Sequence, residues 1–264
     1  ATYLDAILAA HRDIAAADDR DLDWMRAQAA EADPVRGFRA AIVASEGLAV
    51  IAEVKRRSPS KGDLLADLDP AVLARAYAEG GATCLSVLTD VDHFGGSPAD
   101  LSAARAAVEL PALRKDFTVS PLDVCDARLM GADAVLLIAA ALDDAELSDF
   151  GAPARELSLD VLVEIHDEDE LERALAVDAD LVGVNQRDLV TFEVDTERAV
   201  RMAPLIPPHV VRVAESGVRD ADDARRLADA GYDAVLVGES LVTAGDPEAA
   251  VRAMRAVPAR QLEG

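Results

Sequence analysis

The chain has 264 residues, of which 51% are apolar, and 50 acidic against 26 basic residues leave a formal charge of −24. That length and apolar share suffice for a substantial core, while the charge repels phosphate backbones and anionic lipid, so neither nucleic acid nor membrane is expected as a partner. No run approaches the roughly 18 uninterrupted apolar residues of a membrane span, and the opening ATYLDAILAAHRDIAAADD lacks the cationic lead of a secretory signal, so a cytoplasmic location is expected.

The acidity is spread along the chain rather than gathered in a tail, with 33 aspartates to 17 glutamates and only three lysines to 23 arginines. This composition resembles the surface of a halophile's protein. With lysine stripped from the surface, Lys55, Lys61 and Lys115 are each expected to be needed where they stand. Cys84 and Cys125 fall in apolar or helical patterns without C-x-x-C spacing and are expected to be buried thiols. His11, His93, His166 and His209 are scattered, so a zinc site is not expected.

Residues 1–47 show helical patterns, Leu4, Ile7, Leu8 and Ile14 first, then Trp24, Met25, Val35, Phe38 and Ile42. They predict an N-terminal helical extension packed across one end of the following structure. From residue 48 short apolar runs alternate with helix-like segments: LAVIAEV, TCLSVLT, PALRKDF, DAVLLIA, DVLVEIH, DLVGVNQ, HVVRVAES and DAVLVGES make eight strand candidates. Segments such as DPAVLARAYAEGG and SPLDVCDARLMGAD between them begin with a helix N-cap and end in glycine. Gly81, Gly131 and Gly231 close helices at intervals that average one strand-helix unit per roughly 25 residues. Eight units over residues 48–264 predict a (β/α)8 TIM barrel, forming one domain with the extension. A doubly wound sheet is the alternative, but VKRRSPSKG after the first strand carries neither a dinucleotide nor a Walker signature.

Ionisable or amide groups end five of these strands: Glu53 with Lys55, Lys115, Glu164, Asn185 and Glu215. In a barrel the strand C-termini converge on one mouth, and isolated buried charges there cost several kcal/mol unless paired or used. Residues i and i+2 share a face, so Glu53 and Lys55 point together and Lys115 points away from Arg114 and Asp116. A structural ring of salt bridges is the competing reading. After the seventh and eighth strands, ESG at Glu215–Gly217 and GES at Gly238–Ser240 fall where barrels commonly bind phosphate through backbone N–H groups.

In order from residue 51 to 241, IAEVKRRSPSKG, SVLTD with HFGGS, LRKDF, VEIHDE, GVNQRDL, AESGV and VLVGES resemble the strand-end motifs of the indole-3-glycerol phosphate synthase family. The resemblance implies ring closure of 1-(o-carboxyphenylamino)-1-deoxyribulose 5-phosphate with loss of carbon dioxide and water, in tryptophan biosynthesis, by a lyase without metal or organic cofactor. It implies Lys115 as general acid, Lys55 helped by Glu53 as carboxylate contact or second acid, Glu164 as general base, and Asn185 and Glu215 as positioning groups. Ser58, Ser216, Gly217, Gly238 and Glu239 would hold the phosphate, and Phe94, Phe117, Leu136, Arg187 and Leu189 the aromatic or carboxylate end. Lys61 would lie in a closing loop. The protein is expected to be a monomer or weak homodimer. A phosphosugar isomerase or aldolase and a catalytically silent scaffold are the rival readings.

Overall fold

The computed structural model describes residues 2–258; residues 259–264, which end the predicted barrel range, lie outside the described residues. Eight strands form a closed, all-parallel barrel: β1 (Ala49–Val54), β2 (Cys84–Leu88), β3 (Ala112–Lys115), β4 (Ala134–Ile138), β5 (Asp160–Ile165), β6 (Leu181–Asn185), β7 (Val211–Glu215) and β8 (Ala234–Val237). Each pairs with its neighbours in sequence, and β1 closes the ring by pairing Ile51 with Cys84 on one side and with Leu236 on the other. Parallel strands buried on both faces read as unbroken apolar runs, which is why all eight were legible.

Three helices precede the barrel: α1 (Tyr3–Ala17), α2 (Leu22–Ala30) and α3 (Phe38–Val43). The outer layer is α4 (Pro70–Glu79), α5 (Pro98–Ala107), α6 (Pro121–Leu129), α7 (Asp144–Glu156), α8 (Glu168–Ala176), α9 (Arg198–Met202), α10 (Ala221–Ala230), α11 (Glu239–Val242) and α12 (Pro247–Arg255). Asp69, Ser120, Asp167 and Asp220 cap α4, α6, α8 and α10 by accepting first-turn backbone N–H groups, as side-chain oxygens at this position do. The three helix-closing glycines stand at φ +88°, +96° and +108°, the left-handed region where a Cβ would be strained.

Two apolar layers hold the barrel. Outward residues such as Val50, Leu85, Val135, Val163 and Val235 pack against the helices, with Tyr77 and Tyr232 fully buried among them. Inward residues Ala49, Ile51, Cys84, Leu113, Leu136, Leu162, Val213 and Leu236 fill the barrel interior. Cys84 and Cys125 are both free and buried; burial pushes both thiols up.

The N-terminal helices take both ends of the barrel, not one. Phe38 and Ile42 of α3 join the interior layer, and α3 is held at the strand starts, where Asp160 accepts from the Arg39 N–H and Asp133 from the Arg36 N–H, both at 2.8 Å. Helix α1 lies at the opposite face: its His11 reaches Asp90 just beyond β2, and Arg12 donates to the Ala141 carbonyl beyond β4. Helix α2 runs down the flank, with Met25 and Ala29 packed on Cys125 of α6. Which core a helical stripe meets is a long-range matter that its periodicity does not encode.

Candidate active site

Alternation along each strand sorts the interior into an apolar floor and a charged rim. Ala49 and Ile51 lead to Glu53 on β1, Leu113 to Lys115 on β3, Leu162 to Glu164 on β5, Val211 and Val213 to Glu215 on β7. The rim opens into a cavity of about 700 Å³. All six residues expected to be catalytic and all ten expected to bind substrate line it, and so does Lys61.

Two ion-paired groups face each other there. Lys55 Nζ lies 3.0 Å from Glu53 Oε1, and Ser86 donates to the other Glu53 oxygen at 2.9 Å. Lys115 Nζ donates to Glu164 Oε2 at 3.3 Å and lies 3.8 Å from Glu215 Oε2. Burial works to raise Glu53, but the charges of Lys55 and Lys115 outweigh it and hold the carboxyl below its ordinary value. Burial works to lower Lys115, and Glu164, Glu215 and Glu53 together hold it well above the usual lysine value.

Glu164 and Glu215 divide one role between them. Both are buried, at 1% exposure each. Burial would raise both, but Glu164 has Lys115 and His166 beside it and accepts from Asn185 Nδ2 at 2.9 Å, so it is driven down and stays ionised. Burial and the neighbouring Glu164 charge push Glu215 well above its ordinary value, the opposite direction to Glu164. A pair of carboxyls pushed apart in this way offers an acceptor and a donor at one place. Asn185 is fixed by its other atom, Oδ1, which accepts from the Arg187 N–H at 3.0 Å and from Ser216 Oγ at 2.8 Å. An aspartate there could not also donate to Glu164.

Two glycines make the rim possible. A Cβ on Gly183 of β6 would lie 2.0 Å from Glu215 Oε1, and one on Gly238 would lie 2.7 Å from Glu53 Oε1 and 3.1 Å from Lys55 Nζ. Gly238 therefore gives room to the Glu53–Lys55 pair as well as turning the chain beyond β8. Ser216 and Gly217 stand at φ +68° and +74°, a kink that turns the segment after β7 across the cavity. Ser58 Oγ lines the same cavity, buried and without a hydrogen-bond partner. The Glu239 carboxylate reaches toward Lys61, 3.5 Å away.

The long segment after β1, read from sequence as a loop, carries a small antiparallel hairpin, Arg57–Ser58 against Gly62–Asp63. Its base is clamped to the segment after β2 through Arg56 on Asp100 and Arg57 on the His93 carbonyl. Its tip is held by Arg187 Nη1 donating to Ser60 Oγ at 3.3 Å and by the Lys61–Glu239 pair.

Sequence reasoning missed Asp90 and set Asp116 on the face opposite Lys115, but β3 ends at Lys115, alternation stops there, and Asp90 and Asp116 are both buried and line the cavity. Asp90 sits at a strand end like the residues that were found, and that placement was the available signal. Its Oδ1 accepts the His93 and Phe94 N–H groups, while Oδ2 meets His11 Nε2 at 2.9 Å and His93 Nδ1 at 3.0 Å. Burial would raise Asp90, but these hydrogen bonds hold it far below the usual carboxylate range. Among the described residues, His11, Asp90 and His93 form the one group whose donor atoms lie close enough to hold a metal, within 4.8 Å of one another. The scatter of the histidines in sequence concealed it. Both imidazoles share the same Asp90 oxygen as their partner.

The sequence model of the family described as indole-3-glycerol phosphate synthase matches residues 4–254. An indole-3-glycerol phosphate synthase of Nocardioides sp. is 56% identical over 237 residues, 88% of this chain and 89% of the relative. That of Mycolicibacterium vanbaalenii is 51% identical over 253 residues, 95% of this chain and 93% of the relative. Among solved structures, the thiamine phosphate pyrophosphorylase from Pyrococcus furiosus superposes with a TM-score of 0.59 at 17% identity, covering 80% of this chain and 95% of that one, a likeness of fold alone. Since the family model runs from α1 to α12 and takes in every rim residue, the chain belongs to the indole-3-glycerol phosphate synthase family.

Proposed function

We propose that this chain converts 1-(o-carboxyphenylamino)-1-deoxyribulose 5-phosphate into indole-3-glycerol phosphate, carbon dioxide and water, the reaction for which its relatives are named. The observation that carries the reading is Lys115, set between the Glu164 and Glu215 carboxyls and facing a second lysine-carboxylate pair across one cavity. As the aromatic carbon attacks the ketone, Lys115 gives its proton to the oxygen that becomes an alkoxide. The alkoxide is more basic than an amine, so the raised proton affinity of Lys115 does not block the transfer. The ring then loses its carboxylate as carbon dioxide. Lys55, positioned by Glu53, contacts that carboxylate and serves as acid when hydroxide departs, and Glu164 takes the ring proton that completes the indole. Asn185 and Glu215 position the polar intermediate.

The phosphate rests on Ser58, on Ser216 and Gly217, and on Gly238 and Glu239. Ser58 Oγ is a buried donor with no partner inside the protein, and Glu239 turns its carboxylate toward Lys61, leaving its backbone N–H for the ligand. Phe94, Phe117, Leu136, Arg187 and Leu189 line the anthranilate end, and Lys61 latches the hairpin over the substrate. The partner is a small phosphorylated substrate. Among the described residues no helix is long and apolar enough to cross a membrane.

Indole fluorescence should rise when the purified protein meets this substrate. A chain that leaves the substrate unchanged would overturn the reading, and trapping of a lysine by borohydride in the presence of a ketose phosphate would favour an aldolase.

The charge of −24 is read as adaptation to salt, with the protein acting as a monomer or weak homodimer. Screening reaches about 30 Å at 0.01 M salt and only about 3 Å at 1 M, so repulsion that is local in concentrated salt becomes global in dilute buffer. Thermal midpoint and activity are expected to rise together from dilute to molar salt, measured by thermal scans and initial rates. A midpoint that stays flat or falls would show that the acidity serves another purpose.

A further inference from the structure

Resting on the reaction proposed above, we propose that His166 is a positioning residue for it: an imidazolium that holds Glu164 as an anion while Lys115 is without its proton. His166 directly follows β5, two residues past Glu164, so the two side chains share the inward face. Its backbone N–H donates to Glu170 Oε2 at 2.7 Å, and its ring Nδ1 meets the same oxygen at 3.0 Å. Glu170 stands in the first turn of α8, so the helix holds the ring in one orientation. That orientation aims Nε2 at Glu164 Oε1, 3.8 Å away, and leaves it buried with no hydrogen-bond partner. A buried polar atom left without a hydrogen-bond partner calls for an explanation, and the adjacent Glu164 charge supplies one.

The electrostatic situation during turnover gives this ring its task. At rest Glu164 has Lys115 on Oε2, and Asn185 and His166 on the side of Oε1. Once Lys115 has passed its proton to the substrate, it is a neutral amine, and Glu164 faces the buried Glu215 with one cation fewer. A carboxylate losing its counter-charge in a buried site drifts toward protonation, and a protonated Glu164 cannot accept the ring proton in the final step. His166, paired with Glu170 and outside the path of the transferred proton, keeps a positive charge beside it throughout. Burial and Arg198 work to lower the proton affinity of His166, but Glu170 and Glu164 outweigh them and raise it.

The test uses the full chain. Nitrogen-15 NMR of the histidine rings should find both nitrogens of His166 protonated near pH 7; a neutral ring near pH 6 would overturn the inference. The kcat–pH profile should keep its shape in His166→Gln but with the acidic limb moved upward by about one pH unit, because Glu164 then protonates more readily. Glu170→Gln should move the limb in the same direction by less, and KM should change little in both. An unmoved limb, or a fall in kcat equal at every pH, would make His166 a packing residue and overturn the inference. If His166→Gln fails to fold, the Glu170→Gln profile and the NMR of the native chain decide. If the native chain shows no turnover, the reaction assigned above fails, and the NMR titration of His166 still decides the state of the ring.

Discussion

Lys115→Arg is expected to lower kcat by about 10²- to 10⁴-fold while an analogue of the product binds nearly as well as before. The substitution keeps the positive charge among Glu164, Glu215 and Glu53, so it separates the charge of this residue from its proton. An ammonium can release a proton to a developing alkoxide, whereas a guanidinium effectively cannot. Arginine would also lock both Glu164 oxygens in a bidentate pair, which occupies the acceptor needed later. Steady-state kinetics beside a binding titration measure the two effects. Retention of more than half of the native kcat would mean that Lys115 acts through its charge alone.

Glu164→Ala should depress kcat by on the order of 10²-fold or more, through loss of the acceptor for the ring proton. The loss extends past one side chain. Burial and the neighbouring Glu164 charge raise the proton affinity of Glu215. Without that charge it moves toward ionisation and takes Lys115, now 3.8 Å away, as its own partner. The same change alters the link between stability and pH. In the native chain Glu215 is raised, so the folded state retains a proton that the unfolded chain releases, and stability declines as pH rises above the ordinary glutamate value. Glu164 is lowered, so its contribution is present above the ordinary glutamate value and is lost as pH falls through its folded value. The variant should flatten the first dependence, which thermal midpoints across the pH range report. Normal turnover in Glu164→Ala would require another base.

How much was legible in the sequence followed the range of the physics involved. The eight strands, their helix caps and the rim residues at strand ends were readable because burial on both faces, capping and alternation act within a few residues. The placement of α1 and α3 at opposite ends was not, since each depends on residues more than a hundred positions away, such as Asp160 for Arg39 and Glu146 for Arg12. Asp90 was within reach of the strand-end argument, but one of its two histidine partners, His11, lies 79 positions earlier. Gly183 gave no signal at all, because its neighbour Glu215 is brought beside it only when β6 pairs with β7.

Gly183 and Gly238 also bear on how such a chain loses its activity in the course of descent. Each borders an ionisable rim residue at a distance that leaves no room for a methyl group. A descendant carrying alanine at either position would keep every ionisable group of the rim, and a survey of its charged residues would pass it as intact. Its Glu215, or its Glu53 with Lys55, would nonetheless be displaced from the geometry described here. Inactive lineages of this fold are therefore to be recognised by carbon gained at two silent positions as readily as by charge lost at conspicuous ones.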